Sequence, residues 1–152
     1  MLKNYKIGLS LIGIAAVVLI MVPNIIYLFA TLPNDVLSTN EAGYWLWNTF
    51  ENIGRFGSMI TLCIVVRKNA ALKNSILNAA SICSLLLYYS LWIAYFKGIF
   101  NGLSLVGLAF FPTVFFLLIS WKLKNAITFS FSLLFAIVHI AITGSNYLFM
   151  SF

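Results

Sequence analysis

The sequence predicts an all-α fold, a polytopic integral membrane helix bundle with about five transmembrane helices, its N-terminus in and its C-terminus out. Composition is the first reason. Hydrophobic residues make up 62% of the chain, charged residues only 8%, and mean hydropathy is +1.03, whereas soluble domains carry about 25% charged residues. So apolar a surface is solvated by lipid rather than water. The second reason is five apolar runs, each near the roughly 20 residues that a helix rising about 1.5 Å per residue needs to cross a hydrocarbon core. The third is the placement of the basic residues in the short gaps between those runs.

The helices are expected near residues 7–30, 44–66, 76–96, 103–121 and 126–149, within a single transmembrane domain covering 1–152. The first run follows Lys3 and Lys6 as a secretory signal would, but it exceeds the usual length of such an apolar region. It also lacks a small-x-small cleavage site, because Leu28 and Phe29 precede Ala30. It is therefore read as a retained span. With the N-terminus inside, Lys3, Lys6, Arg67, Lys68, Lys73, Lys122 and Lys124 share the cytoplasmic side, and Lys97 lies opposite with Asp35 and Glu41. That asymmetry in short loops is the positive-inside pattern.

Aromatic residues at the ends of the runs fit this frame. Tyr44, Trp45 and Trp47 open the second helix, Trp92 and Tyr95 close the third and Trp121 closes the fourth, as headgroup-level anchors. Short loops predict that consecutive helices pack as antiparallel neighbours. The longest loop, 31–43, contains Leu32-Pro33-Asn34-Asp35, where Pro33 sets φ and Asn34 and Asp35 suit an Asx-type turn.

The second helix departs from its neighbours. Asn48, Glu51, Asn52 and Arg55 lie on one face of it, with Ser58 below. Each charge at such depth costs at least about 2.5 kcal/mol if it faces lipid. The spacing of Glu51 and Arg55, acid first and four residues apart, lets the two side chains meet. Gly54 and Gly57 beside them allow a neighbouring helix to approach closely. Pro23 and Asn24 in the first helix, Tyr88, Tyr89 and Ser90 in the third, and His139, Thr143, Ser145 and Asn146 in the fifth lie at similar depth. The opposite half of the bundle reads as almost wholly apolar. Pro112 is expected to kink the fourth helix, with Thr113 re-satisfying its backbone.

These groups admit two readings. One is a packing network of hydrogen bonds between helices. The other is a polar pocket open toward the outer surface, bounded by the first, second, third and fifth helices and lined by Asn24, Asn48, Glu51, Asn52, Arg55, Tyr88 and His139. Such a pocket would bind or transport a small polar or amphipathic ligand. An accessory, sensor or immunity-type protein acting through contacts with other membrane proteins is the alternative. A lipid-modifying enzyme is the weaker third class, because no complete nucleophile and base constellation is present.

Other chemistry is disfavoured. His139 is the only histidine, which argues against a zinc site, and no catalytic residue, metal or cofactor is assigned. Cys63 and Cys83 lie in apolar runs without a Cys-x-x-Cys partner and are read as buried small hydrophobes. The net charge of +6 is dispersed rather than gathered on a water-facing patch, so nucleic acid is not an expected partner. Membrane lipids, a small-molecule ligand, a second copy or another membrane protein are. Lysine outnumbers arginine and asparagine is frequent, which points to an AT-rich coding sequence and to a bacterial plasma membrane.

Overall fold

A computed structural model describes residues 4–32, 34–67 and 75–148. Five helices form the bundle: α1 (Leu11–Phe29), α2 (Trp45–Ile64), α3 (Ser75–Phe96), α4 (Gly102–Lys122) and α5 (Ala126–Tyr147). Two short strands, β1 (Tyr5–Ile7) and β2 (Val65–Arg67), pair antiparallel at one end. Helices α1, α3, α4 and α5 are long and apolar enough to cross a membrane. With 20 residues α2 has a comparable length, but its polar face lowers its hydropathy. The chain is thus a multi-pass, all-α membrane protein.

Helix starts follow local chemistry. Ser10 caps α1 by accepting from the Gly13 N–H at 3.1 Å. Asn101 and Ser104 form a reciprocal capping box at α4. Asn125 caps α5 through the Thr128 N–H and also donates to the Val65 carbonyl at 2.8 Å, which ties α5 to β2.

The ribbon corrects two expected boundaries, since α1 begins at Leu11 rather than near residue 7 and α2 ends at Ile64 rather than at residue 66. Ile64, Val65 and Val66 are a β-branched run, which fits an extended backbone better than a helix end. The last carbonyls of α2 need outside donors. Gly8 N–H reaches the Ile64 carbonyl at 2.9 Å and Ser10 N–H reaches that of Cys63 at 2.8 Å. The chain preceding α1 thereby caps α2.

Packing also departs from the order of the chain. Helix α2 lies chiefly against α5, while α3 meets α4 rather than α2. The α2–α5 crossing is close because Gly54 leaves room: a Cβ there would sit 2.6 Å from the Phe135 backbone nitrogen. Helix α1 packs on α2 near Gly13 and Leu62, and only lightly on α3 and α4. A gap on the α1 side results.

Prolines and hydroxyls show how the backbone is satisfied in a low-dielectric interior. Pro23 has no N–H for the Leu19 carbonyl, and the Tyr89 hydroxyl of α3 donates to it instead at 2.7 Å. Helix α4 continues through Pro112, with Thr113 donating to the Phe110 carbonyl and Ser84 of α3 donating to that of Phe111, both at 2.8 Å. Ser81, Thr113, Ser120, Thr128 and Ser132 are all buried, so the half of the bundle near the ribbon is not wholly apolar. Several of these hydroxyls return to their own helix, as Ser81 does to Leu77 and Ser120 to Leu117.

Two further expectations change. Trp92 and Tyr95 are buried rather than placed at a lipid headgroup belt, and they pack with Tyr27, Phe96 and Phe100. Trp45, Trp47 and Trp121 are exposed, as anchors would be. Cys83 lies on the outer surface of the bundle and Cys63 is half-buried. Lys3, Pro33, Lys68, Lys73 and Phe149, used in the sequence reading, lie outside the described residues.

Gly54→Ala should destabilise the bundle by about 1–3 kcal/mol, the usual cost of overpacking, because the added methyl meets backbone rather than a movable side chain. Gly144→Ala, with nothing within 4 Å of the new Cβ, is the control and should be neutral. Thermal unfolding of both variants in detergent measures the difference.

Candidate functional site

A cavity of about 440 Å³ lies inside the bundle, bordered by all five helices and the 31–43 loop. That volume is within the usual range for small-molecule sites. Most of the wall is apolar, with Ile20, Leu105, Leu108, Phe116 and Met59 among its residues. Polar groups enter from α1 (Asn24), α2 (Arg55), α3 (Tyr88) and α5 (His139 and Thr143).

The charged centre sits where α2 and α5 cross. Glu51 is 6% exposed, and its Oε1 accepts from the Arg55 guanidinium one turn along the same helix. His139 Nδ1 of α5 lies 2.8 Å from the same oxygen, within ion-pair distance though off the alignment of a good hydrogen bond. Phe135 completes the cluster. Its ring stacks on His139 at 4.9 Å and lies under the guanidinium, 5.6 Å from centroid to Cζ. One buried carboxylate therefore holds two groups able to carry positive charge.

A second cluster joins α1 to α3. The Asn24 amide donates to the Ile20 carbonyl at 2.8 Å and to the Tyr88 hydroxyl at 2.7 Å. The Tyr88 hydroxyl in turn donates to the Ile20 carbonyl at 3.3 Å.

The loop lies across the end of the cavity. Asp35 does not form the expected Asx-type turn; its Oδ1 accepts instead from the Tyr27 hydroxyl at 2.6 Å and the Tyr95 hydroxyl at 3.0 Å. Tyr147 donates to the Val36 carbonyl at 2.6 Å, and Asn40 donates to Thr143 Oγ1 at 3.0 Å. Leu37, Ser38, Asn40 and Glu41 thereby become part of the cavity wall.

The seven residues singled out from sequence separate by position. Asn24, Arg55, Tyr88 and His139 border the cavity. Glu51 stands behind Arg55 and His139 and holds both. Asn48 pairs with both backbone groups of Ala42 and so anchors the loop to α2. Asn52 is exposed on the outer side of α2. The sequence reading missed the loop residues and the α4 wall, which includes Ala109 and Pro112. Pro112 was a signal for the latter, since it leaves the Leu108 carbonyl without its usual helical donor beside the cavity.

No protein-family model, curated protein or solved structure matches this chain. Removing Glu51 leaves both Arg55 and His139 without their carboxylate, and removing Arg55 leaves Glu51 with His139 alone, so each single loss destabilises and removing both is milder than the sum. Glu51→Ala and Arg55→Ala should each lower the melting temperature in detergent. The double variant itself should be less destabilised than the sum of the singles, and strictly additive losses would refute the coupling.

Proposed function

We propose that this protein is a small membrane-embedded binding or transport protein whose ligand, small and polar or amphipathic, occupies the cavity. The observation that carries the reading is an internal space bordered by both signs of charge, Arg55 and Glu41, within an otherwise apolar wall. The mixed wall favours a ligand with a polar group and an apolar body over a bare ion.

The orientation belongs to the same proposal. Lys6, Arg67, Lys122 and Lys124 gather at the ribbon end of the bundle, and Lys97, Asp35 and Glu41 lie at the loop end. By the positive-inside rule the ribbon end is cytoplasmic and the loop faces outward, with all five helices crossing. The setting is a plasma membrane, with a bacterial one favoured by composition. An accessory role through contacts with other membrane proteins is the alternative, and exposed Asn52 is the feature that favours it, since an amide facing lipid gains from a partner.

Two experiments test this reading. In a chain without Cys63 and Cys83, cysteines introduced at Met59 and Ala109 should both react with a small thiol reagent in the folded protein. Protection at both would sink the pocket. Separately, a C-terminal reporter active only outside the cytoplasm is expected, and cytoplasmic activity would mean an even number of crossings.

A further inference from the structure

We propose that the ligand is an amphipath with an acidic head, a carboxylate or phosphate, which enters sideways from the lipid between the loop-end halves of α1 and α2. This rests on the ligand-binding reading above and adds a route and a chemical class to it.

The route follows from which wall residues are also exposed. Leu28 of α1 is 74% exposed and Phe56 of α2 is 56% exposed, yet both border the cavity. A residue that meets both the cavity and the outside marks a mouth. The two helices are held together at their other ends, by Gly13 against Leu62 and by the ribbon, so they part toward the loop. Ser38 and Glu41, exposed polar residues of the loop, border the cavity at that same end. The mouth is therefore apolar at the sides and polar above, as an amphipath lying in a leaflet would require. Asn52, one turn before Phe56 on the same stripe of α2, stands beside this opening.

The class follows from a count of donors. A guanidinium has five N–H groups. Glu51 engages Arg55 through Nη2, and the Arg55 side chain remains 36% exposed. His139 competes for the same carboxylate oxygen. Arg55, at the cavity wall, thus keeps N–H groups beyond the one turned to Glu51, and a carboxylate or phosphate accepts from such a fork. Glu41 opposes an acid only at the solvated rim, where salt screens it. With its head on Arg55, a chain would lie among Ile20, Leu105, Leu108 and Phe116.

Nanodiscs containing the full chain and a trace of photoactivatable palmitic acid, the matching lysophosphatidic acid, or the matching uncharged alcohol test both parts. Mapped adducts on cavity residues should favour the two acidic probes by about tenfold over the alcohol, the scale of a charge-assisted hydrogen bond. Excess inorganic phosphate in the buffer should not compete. Replacing Glu51→Gln together with Arg55→Gln should abolish the preference. Leu28→Trp with Phe56→Trp, two exposed positions that border the mouth, should slow labelling at least several-fold by narrowing it. Equal labelling by all three probes overturns the acidic class, and competition by phosphate or an unchanged rate in the tryptophan variant overturns the lateral route. Either result, with reactive cysteines at Met59 and Ala109, leaves the pocket standing; unreactive cysteines with no cavity adducts remove both.

Discussion

A carboxylate buried in a lipid-embedded bundle has to be paired where it stands, because burial strips it of solvent. Glu51 meets that constraint with one partner from its own helix, Arg55, and one from α5, His139. The second partner requires α2 and α5 to approach closely, and Gly54 against the Phe135 backbone permits it. The α2–α5 crossing is thus set jointly by an electrostatic demand and by the absence of a side chain. Phe135, held at that crossing, then supplies a ring to both His139 and Arg55.

The rest of the bundle follows from that crossing. With α2 committed to α5, and α3 and α4 packed on each other, α1 is left with a firm hold on α2 only at the ribbon end. Its contacts across the cavity are polar and specific rather than extensive. Tyr89 takes the carbonyl that Pro23 frees, and Asn24 and Tyr88 join at Ile20. A few directional bonds hold α1 against α3 without filling the space between them. Hydrogen bonds that span a gap in this way preserve a cavity which close packing would eliminate.

The loop performs at the other end what the ribbon performs at the first. Both are irregular or extended segments whose polar groups find partners on the helices. The ribbon finds them in the unsatisfied carbonyls of α2. The loop finds them in tyrosines: Tyr27 and Tyr95 converge on the Asp35 carboxylate, and Tyr147 takes the Val36 carbonyl. Three helices are thereby tied to one loop, which explains why Tyr95, positioned by sequence like an interface anchor, is buried.

By itself the sequence determined the solvent, the helices and the identity of the unusual helix. Each of these depends on local quantities: the length of an apolar run, the cost of a charge in lipid, and the i, i+4 spacing that joins Glu51 to Arg55. Four candidate residues, Asn24, Arg55, Tyr88 and His139, were also legible, because a polar side chain in a span must turn inward somewhere. Only tertiary structure decided where. The polar arc of α2 is wide, and packing on α5 centred the buried face on Glu51, Gly54 and Ser58, which left Asn52 outside and gave Asn48 to the loop. The meeting of Glu51 with His139, the pairing of β1 with β2 and the clasp on Asp35 join residues far apart in the chain. Helical periodicity records the angle of a residue about its own axis, and it is silent on which neighbour that angle will meet.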